Sequence, residues 1–252
     1  MSSNNRIVTD AELCHERLGD QFASALSDYD TSRRVEILID DFLASLATPE
    51  AKALDVGCGL GFFSEALHRR GVDVLASDLG SNLVQRTKER VGCEAVVADA
   101  LSLSKEMGEN QFDIVISSEC IEHTPDPGLA ISEMAKVLKP GGYLSLSTPN
   151  LPWQPIVRMA TRMKLRPFNG NENFTSWGSM RRILNACDLE IVREYGLHPF
   201  PFQLGMNQLS RWIEARAQFA RAGMINVCVL ARKKDKATDS NNHDQGRSHE
   251  NA

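Results

Sequence analysis

The feature that most constrains this chain is an alternation of two kinds of segment. Short apolar runs rich in β-branched residues, KALDVG (52–57), VDVLASD (72–78), CEAVVAD (93–99), FDIVISS (112–118) and YLSLSTP (143–149), are separated by helix-length amphipathic stretches. Those stretches read FFSEALHRR, SNLVQRTKERV, a shorter ALSLSKEM, and GLAISEMAKVL. Strand–helix–strand units of this kind return to one sheet in parallel, so the order predicts a parallel sheet with helices on both faces. Strands covered on both faces are apolar throughout rather than at alternate positions, and these runs read that way. LKPGG (138–142) is expected to close a helix on glycine and turn into the fifth strand. DLEIVREYG (188–196) and INVCVLARK (225–233) predict two further strands.

The expected fold is therefore α/β: a Rossmann-like seven-stranded sheet, its last strand antiparallel, with helices on both faces and a helical lid inserted after strand 5. A chain of 252 residues holds one such domain without requiring a second. We expect an N-terminal segment (1–30) that is partly disordered and then helical, a domain over 31–232, and a disordered tail (233–252). The domain carries a lid at 151–176 and a second helical insertion at 197–223. The tail balances four basic against four acidic residues and offers almost nothing to bury. Net charge is −5, which argues against a nucleic-acid partner. No apolar run approaches the roughly 20 residues of a membrane span. The N-terminus lacks the basic-then-apolar layout of a secretion signal, so a cytoplasmic location is expected. Six scattered cysteines without metal-ligand spacing read as reduced thiols.

In doubly wound sheets the ligand sits beyond the carboxyl ends of the strands, where the strand order reverses. That rule selects Asp55 and the glycines of LDVGCGLGF after strand 1, Asp78 after strand 2, Asp99 after strand 3, and Ser118 to His123 after strand 4. Gly57, Gly59 and Gly61 allow a tight turn and close approach of backbone to a ligand at a helix start. Their spacing is G-x-G-x-G, with Phe62 where a dinucleotide fingerprint wants its third glycine. A carboxylate at Asp78 can accept both hydroxyls of a ribose, and one at Asp99 can accept from an exocyclic adenine amine. The three acids at successive strand ends form a constellation of adenosine size.

LDVGCGLGFFSEALHRRGVDVLASDLGSNLVQRTKER resembles motifs I and II of class I S-adenosylmethionine-dependent methyltransferases. FDIVISSECIEHTPDP followed by VLKPGGYLSLSTPN resembles the corresponding motifs of the ubiquinone-biosynthesis O-methyltransferase (UbiG-like) branch. The resemblance covers about residues 30 to 195. It implies S-adenosyl-L-methionine as cofactor, with Asp55, Gly57 and Gly59 toward its methionine part, Asp78 at the ribose and Asp99 at the adenine, and with Leu79, Ala100 and Ser118 also expected to be cofactor-binding. Arg34 resembles the arginine before strand 1 that meets the cofactor carboxylate; Arg33 fits equally well by spacing.

Glu119, Glu122 and His123 in SSECIEHTPDP have spacings of three and four, which would put them on one face of a helical turn. Two chemistries stay open for them. His123, with Glu122 beside it, can remove the proton of an oxygen nucleophile. Alternatively, two carboxylates and an imidazole can hold Mg, Mn or Zn, and the cation would acidify the acceptor hydroxyl. The E-x-x-E-H spacing is similar to a metal-binding motif of UbiG-like enzymes and small-RNA 2′-O-methyltransferases, which take a further histidine from the segment after strand 5. Here that segment, NGNENFTSW (169–177), has none, and Glu172 is the candidate to complete the set.

In LPWQPIVRMATRMKLRPF (151–168), Ile156, Met159, Ala160 and Met163 share one face while Arg158, Arg162 and Arg166 recur on another. This reads as a solvated surface helix or as an adaptable lid over a lipophilic acceptor, able to make peripheral membrane contact. The second insertion carries an apolar stripe, Leu209, Trp212, Ile213, Phe219 and Ala220, expected to pack on the core. A pocket wall or a dimer contact is the alternative, so the chain is expected to be a monomer or homodimer. The expected reaction is methyl transfer to an oxygen of a small or lipophilic acceptor; C- or N-methylation, or cofactor binding without transfer, are the other readings.

Overall fold

The computed structural model describes residues 28–163 and 172–235, with Phe202 described by its backbone alone. The expectations for the first 27 residues, for Arg166, and for the tail beyond Asp235 lie outside the described residues.

The chain enters through α1 (Asp28–Val35), which continues as a π-helical turn, Glu36–Asp41. There follow β1 (Lys52–Val56), α2 (Phe62–His68), β2 (Asp73–Asp78), α3 (Ser81–Val91), β3 (Glu94–Val97), α4 (Leu103–Met107) and β4 (Phe112–Ser118). The second half comprises α5 (Pro127–Val137), β5 (Leu138–Pro149), α6 (Gln154–Arg162), α7 (Trp177–Ala186), β6 (Leu189–Leu197), α8 (Asn207–Arg216) and β7 (Asn226–Lys233). The described residues form one seven-stranded sheet in the order β3-β2-β1-β4-β5-β7-β6. β1 to β5 are parallel, and β7 runs antiparallel between β5 and β6.

Alternate strand residues serve two cores. Leu54, Val56, Val115, Leu144 and Leu146 face α5 and α7, where Ile131, Met134, Trp177 and Leu184 are buried. Ala53, Ala76, Ile114 and Ile116 face the opposite layer, built from Ile37, Leu38, Leu43, Phe63 and Leu67. Continuous apolar strands are what a two-sided core requires. Outer strand β3 departs from that, with residues Glu94 and Val96 exposed. α5 starts where the sequence stops it from starting earlier: Asp126 caps the Leu129 N–H at 3.0 Å, and Pro127 occupies the first turn.

Two expectations need correction here. No turn separates α5 from the fifth strand, which begins at Leu138 and pairs with Phe112 before its register shifts to Ile114↔Tyr143. Gly141, at φ 76°, lies inside that irregularity. The stripe on the second insertion does not pack on the core. Trp212 is 56% exposed, Phe219 is 88% exposed, and Leu209 is exposed too. The side of α8 that turns inward is polar, with Ser210 and Glu214 buried. Glu214 can be buried because Arg33 meets it at 2.6 Å, and a buried charge needs such a partner. The lid helix α6 likewise buries none of its residues; Ile156, Met159 and Met163 face outward.

Candidate active site

The strand order reverses between β1 and β4, and the residues selected from the sequence gather at the carboxyl ends on either side of that point. On the β1–β2 side the backbone makes the turn. Gly57, Gly59 and Gly61 have φ of 73°, 54° and 77°, the left-handed region that favours glycine. At Gly57 space decides as well as conformation, because a Cβ there would lie 2.4 Å from Cys120 Sγ. The buried Asp78 carboxylate accepts the Gly59 N–H with one oxygen and the Gly80 N–H with the other, both at 2.9 Å. A carboxylate offers about four lone-pair positions, so two remain for a ligand. Asp55 is buried and accepts the Ser64 hydroxyl at 2.6 Å. Burial raises its pKa to about 7, against the lowering effect of the Ser64 bonds. Asp99 accepts the Leu101 N–H at 2.9 Å and, with Ala100, stays partly exposed past the end of β3; Leu79, past the end of β2, is partly exposed too.

The two candidate arginines separate. Arg33 turns away to Glu214 and Glu36. Arg34 is buried and faces the site, with Nη1 donating to Ser118 Oγ at 3.3 Å and Nη2 bound to Asp30 Oδ2 at 2.7 Å. Burial works against its charge, but Asp30, Glu119 and Glu122 outweigh that and its pKa is raised.

On the β4–β5 side the expected helical face does not form. Glu119 takes φ 53°, and only the single 3-10 turn Ile121–His123 follows it. Helical spacing therefore does not relate the three side chains. Glu119 Oε1 accepts from Ser147 Oγ at 3.1 Å and Asn226 Nδ2 at 3.0 Å. Glu122 is buried and accepts the Thr148 hydroxyl at 3.1 Å. His123 Nε2 lies 4.0 Å from Glu122 Oε1. Burial raises the pKa of both glutamates, and for Glu122 the neighbouring Glu119 charge pushes it well above the ordinary value.

The chain after the lid returns to this corner. Asn173 N–H donates to the Glu122 carbonyl at 2.7 Å, its side-chain amide donates to the Thr124 carbonyl at 2.7 Å, and the Glu172 carbonyl accepts from Gln154. Glu172 is thus brought near the turn by its backbone. Among the described residues, however, no three His, Cys, Asp or Glu side chains converge as a metal-holding group. Glu122 and His123 make a two-donor edge that no third such side chain completes among the described residues.

Ser147, Thr148 and Asn226 also line this side. None was selected from the sequence. Asn226 opens β7 and pairs with Pro149 at the end of β5, so it reaches the site only because an antiparallel strand was inserted beside β5. The STPN run at the end of β5 was the available signal for Thr148.

Comparison with known proteins agrees with this geometry. Residues 54–146 match the family described as "Methyltransferase domain". The chain is 40% identical over 119 residues to a ubiquinone biosynthesis O-methyltransferase of Xanthomonas campestris pv. campestris, covering 45% of this chain and 49% of that one. The chain therefore spans about half the length of the curated relatives it matches. The fold is shared with geranyl diphosphate C-methyltransferase from Streptomyces coelicolor A3(2), at a TM-score of 0.62 and 17% identity over 80% of this chain and 79% of that one. It is also shared with the cyclase SpnF, at a TM-score of 0.59 and 19% identity over 81% and 80%. Over residues 54–146 the chain is similar to methyltransferase domains. Within that class it is similar to the ubiquinone-biosynthesis O-methyltransferases.

Proposed function

We propose that the protein transfers the methyl group of S-adenosyl-L-methionine to an oxygen of a small or lipophilic acceptor. The observation that carries this is Asp78. Both its oxygens are anchored by backbone N–H groups at the mouth of a three-glycine turn, leaving a buried, oriented acceptor for two ribose hydroxyls. Arg34 would meet the cofactor carboxylate and Asp99 the adenine amine. Asp55 would support the turn around the methionine part.

Methyl transfer from a sulfonium is an in-line displacement, so the protein contributes mainly alignment and exclusion of water. An oxygen acceptor must also lose its proton. His123, partly exposed beside the buried Glu122, is placed to take it. Glu122, whose pKa is raised well above the ordinary value by burial and by the Glu119 charge, would orient the imidazole or the acceptor by hydrogen bonding. The donors among the described residues are incomplete for a metal, so the imidazole would act unassisted. The chain's similarity to ubiquinone-biosynthesis O-methyltransferases favours a phenolic or catecholic acceptor. Calorimetry tests the cofactor: S-adenosylmethionine and S-adenosylhomocysteine should bind with micromolar affinity, about −8 kcal/mol. Binding of NADH with neither of these would overturn the assignment.

A further inference from the structure

The polar inner side of α8 leads back to the cofactor site through side chains that the transfer itself does not use. Glu214 is fully buried. Its Oε2 holds Arg33, and its Oε1 accepts the Ser210 hydroxyl at 2.9 Å and the His198 backbone N–H at 3.1 Å. His198, just after β6, has φ 59°, a region non-glycine residues seldom occupy and that costs on the order of 1 kcal/mol or more. Its imidazole is buried with Nε2 2.9 Å from Asp30 Oδ1 and Nδ1 3.7 Å from Glu214 Oε1. The Tyr29 ring packs against it, with centroids 5.9 Å apart. Asp30 spends its other oxygen on Arg34 Nη2, at 2.7 Å.

We propose that His198 is a positioning residue for the cofactor, holding Asp30 so that Arg34 presents its free edge to the ligand's carboxylate. The inference rests on the reading of Arg34 given above. Guanidinium and carboxylate groups commonly pair through two parallel hydrogen bonds. Here they pair through one, because His198 occupies the second oxygen of Asp30. Arg34 therefore keeps Nη1 directed at Ser118 and the site. With the imidazole gone, the Asp30 carboxylate loses that hold and can turn toward both terminal nitrogens of Arg34, withdrawing the arginine from the ligand.

His198→Asn separates the ring from the backbone. Asparagine tolerates the left-handed region, but its side chain is too short to bridge to Asp30. Calorimetry on the full chain with S-adenosylhomocysteine should show roughly ten-fold weaker binding, the loss expected for one charge-assisted hydrogen bond. Adenosine, which lacks the amino-acid end, should bind within two-fold of the wild type. His198→Gln, whose longer amide reaches Asp30, should recover most of the affinity. If His198→Asn does not fold, His198→Leu keeps the bulk of the ring and carries the same expectation. Unchanged S-adenosylhomocysteine binding, or an equal loss for both ligands, overturns the inference. Arg34→Met distinguishes the levels of failure. If it leaves S-adenosylhomocysteine affinity intact, the reading of Arg34 falls and the inference with it. If it weakens binding while His198→Asn does not, the inference alone falls.

Discussion

The two halves of the site are built differently. Around β1 and β2 the ligand surface is backbone and short side chains: three glycines in the left-handed region, Asp78 tied at both oxygens, and Asp55 tied to Ser64. Around β4, β5 and β7 it is side chains from segments far apart in sequence: Glu119 with Ser147 and Asn226, and Glu122 with Thr148 and the Asn173 backbone. The first half sits on a continuous parallel core. The second is bordered by two inserted helices, α6 and α8, on which Met159 and Trp212 face outward. A surface made by local turns accepts one ligand shape. A surface made by long-range pairings changes whenever an insertion changes, which suits an acceptor that differs among proteins sharing one cofactor.

The largest effect should fall on the second half. His123→Ala should lower kcat by about 10²–10⁴, the usual worth of a positioned general base, with S-adenosylhomocysteine affinity retained. The acidic limb of the wild-type pH–rate profile should disappear with it. A strong chelator should leave the rate within two-fold. Loss of activity restored by Mg²⁺, Mn²⁺ or Zn²⁺ would assign the Glu122–His123 edge to a cation and remove the sharpest contrast between the halves.

The next effect belongs to the first half and is one of stability. Asp55 binds its proton more tightly in the folded protein, where its pKa is raised to about 7, than in the unfolded chain. Its contribution is present below about pH 4 and is lost as pH rises through 7, with a ceiling of roughly 4 kcal/mol. Melting of the ligand-free protein should therefore occur at progressively lower temperature from pH 5 to 8. Asp55→Asn, which can still accept from Ser64, should flatten that slope; an unchanged slope would locate the pH dependence elsewhere.

Asp78→Asn should weaken S-adenosylhomocysteine binding by roughly 100-fold, since a charged acceptor of two hydroxyls is replaced by a neutral one. Calorimetry reads this directly. A loss under three-fold would mean that the first half does not grip the ribose through this residue.

The smallest effect is expected at the lid. Changing Arg158 and Arg162 to glutamate should raise the acceptor KM several-fold and leave cofactor affinity unchanged. Wild-type steady-state kinetics and unaltered liposome binding would leave α6 as a solvated surface helix.

How much of this the sequence contained follows the same division. Five parallel strands, the glycine turn and the acids at the ends of β1 and β2 were legible because each depends on residues within one strand–helix unit. The face expected of Glu119, Glu122 and His123 was not, because a left-handed residue and a single 3-10 turn replace the helix that the spacing suggested. The inward side of α8 was misread for a related reason. An apolar stripe normally marks the buried face, but here Arg33 and His198 come from elsewhere in the chain to satisfy Glu214, so the polar face is the one that packs. Ser147 and Thr148 became site residues once β5 paired with β4, and Asn226 only once β7 paired with β5. The sequence by itself determined the sheet and the glycine turn, because hydrophobic periodicity and backbone conformation act over a few residues. Tertiary structure alone decided which polar groups meet, because burying them requires partners that sequence distance does not predict.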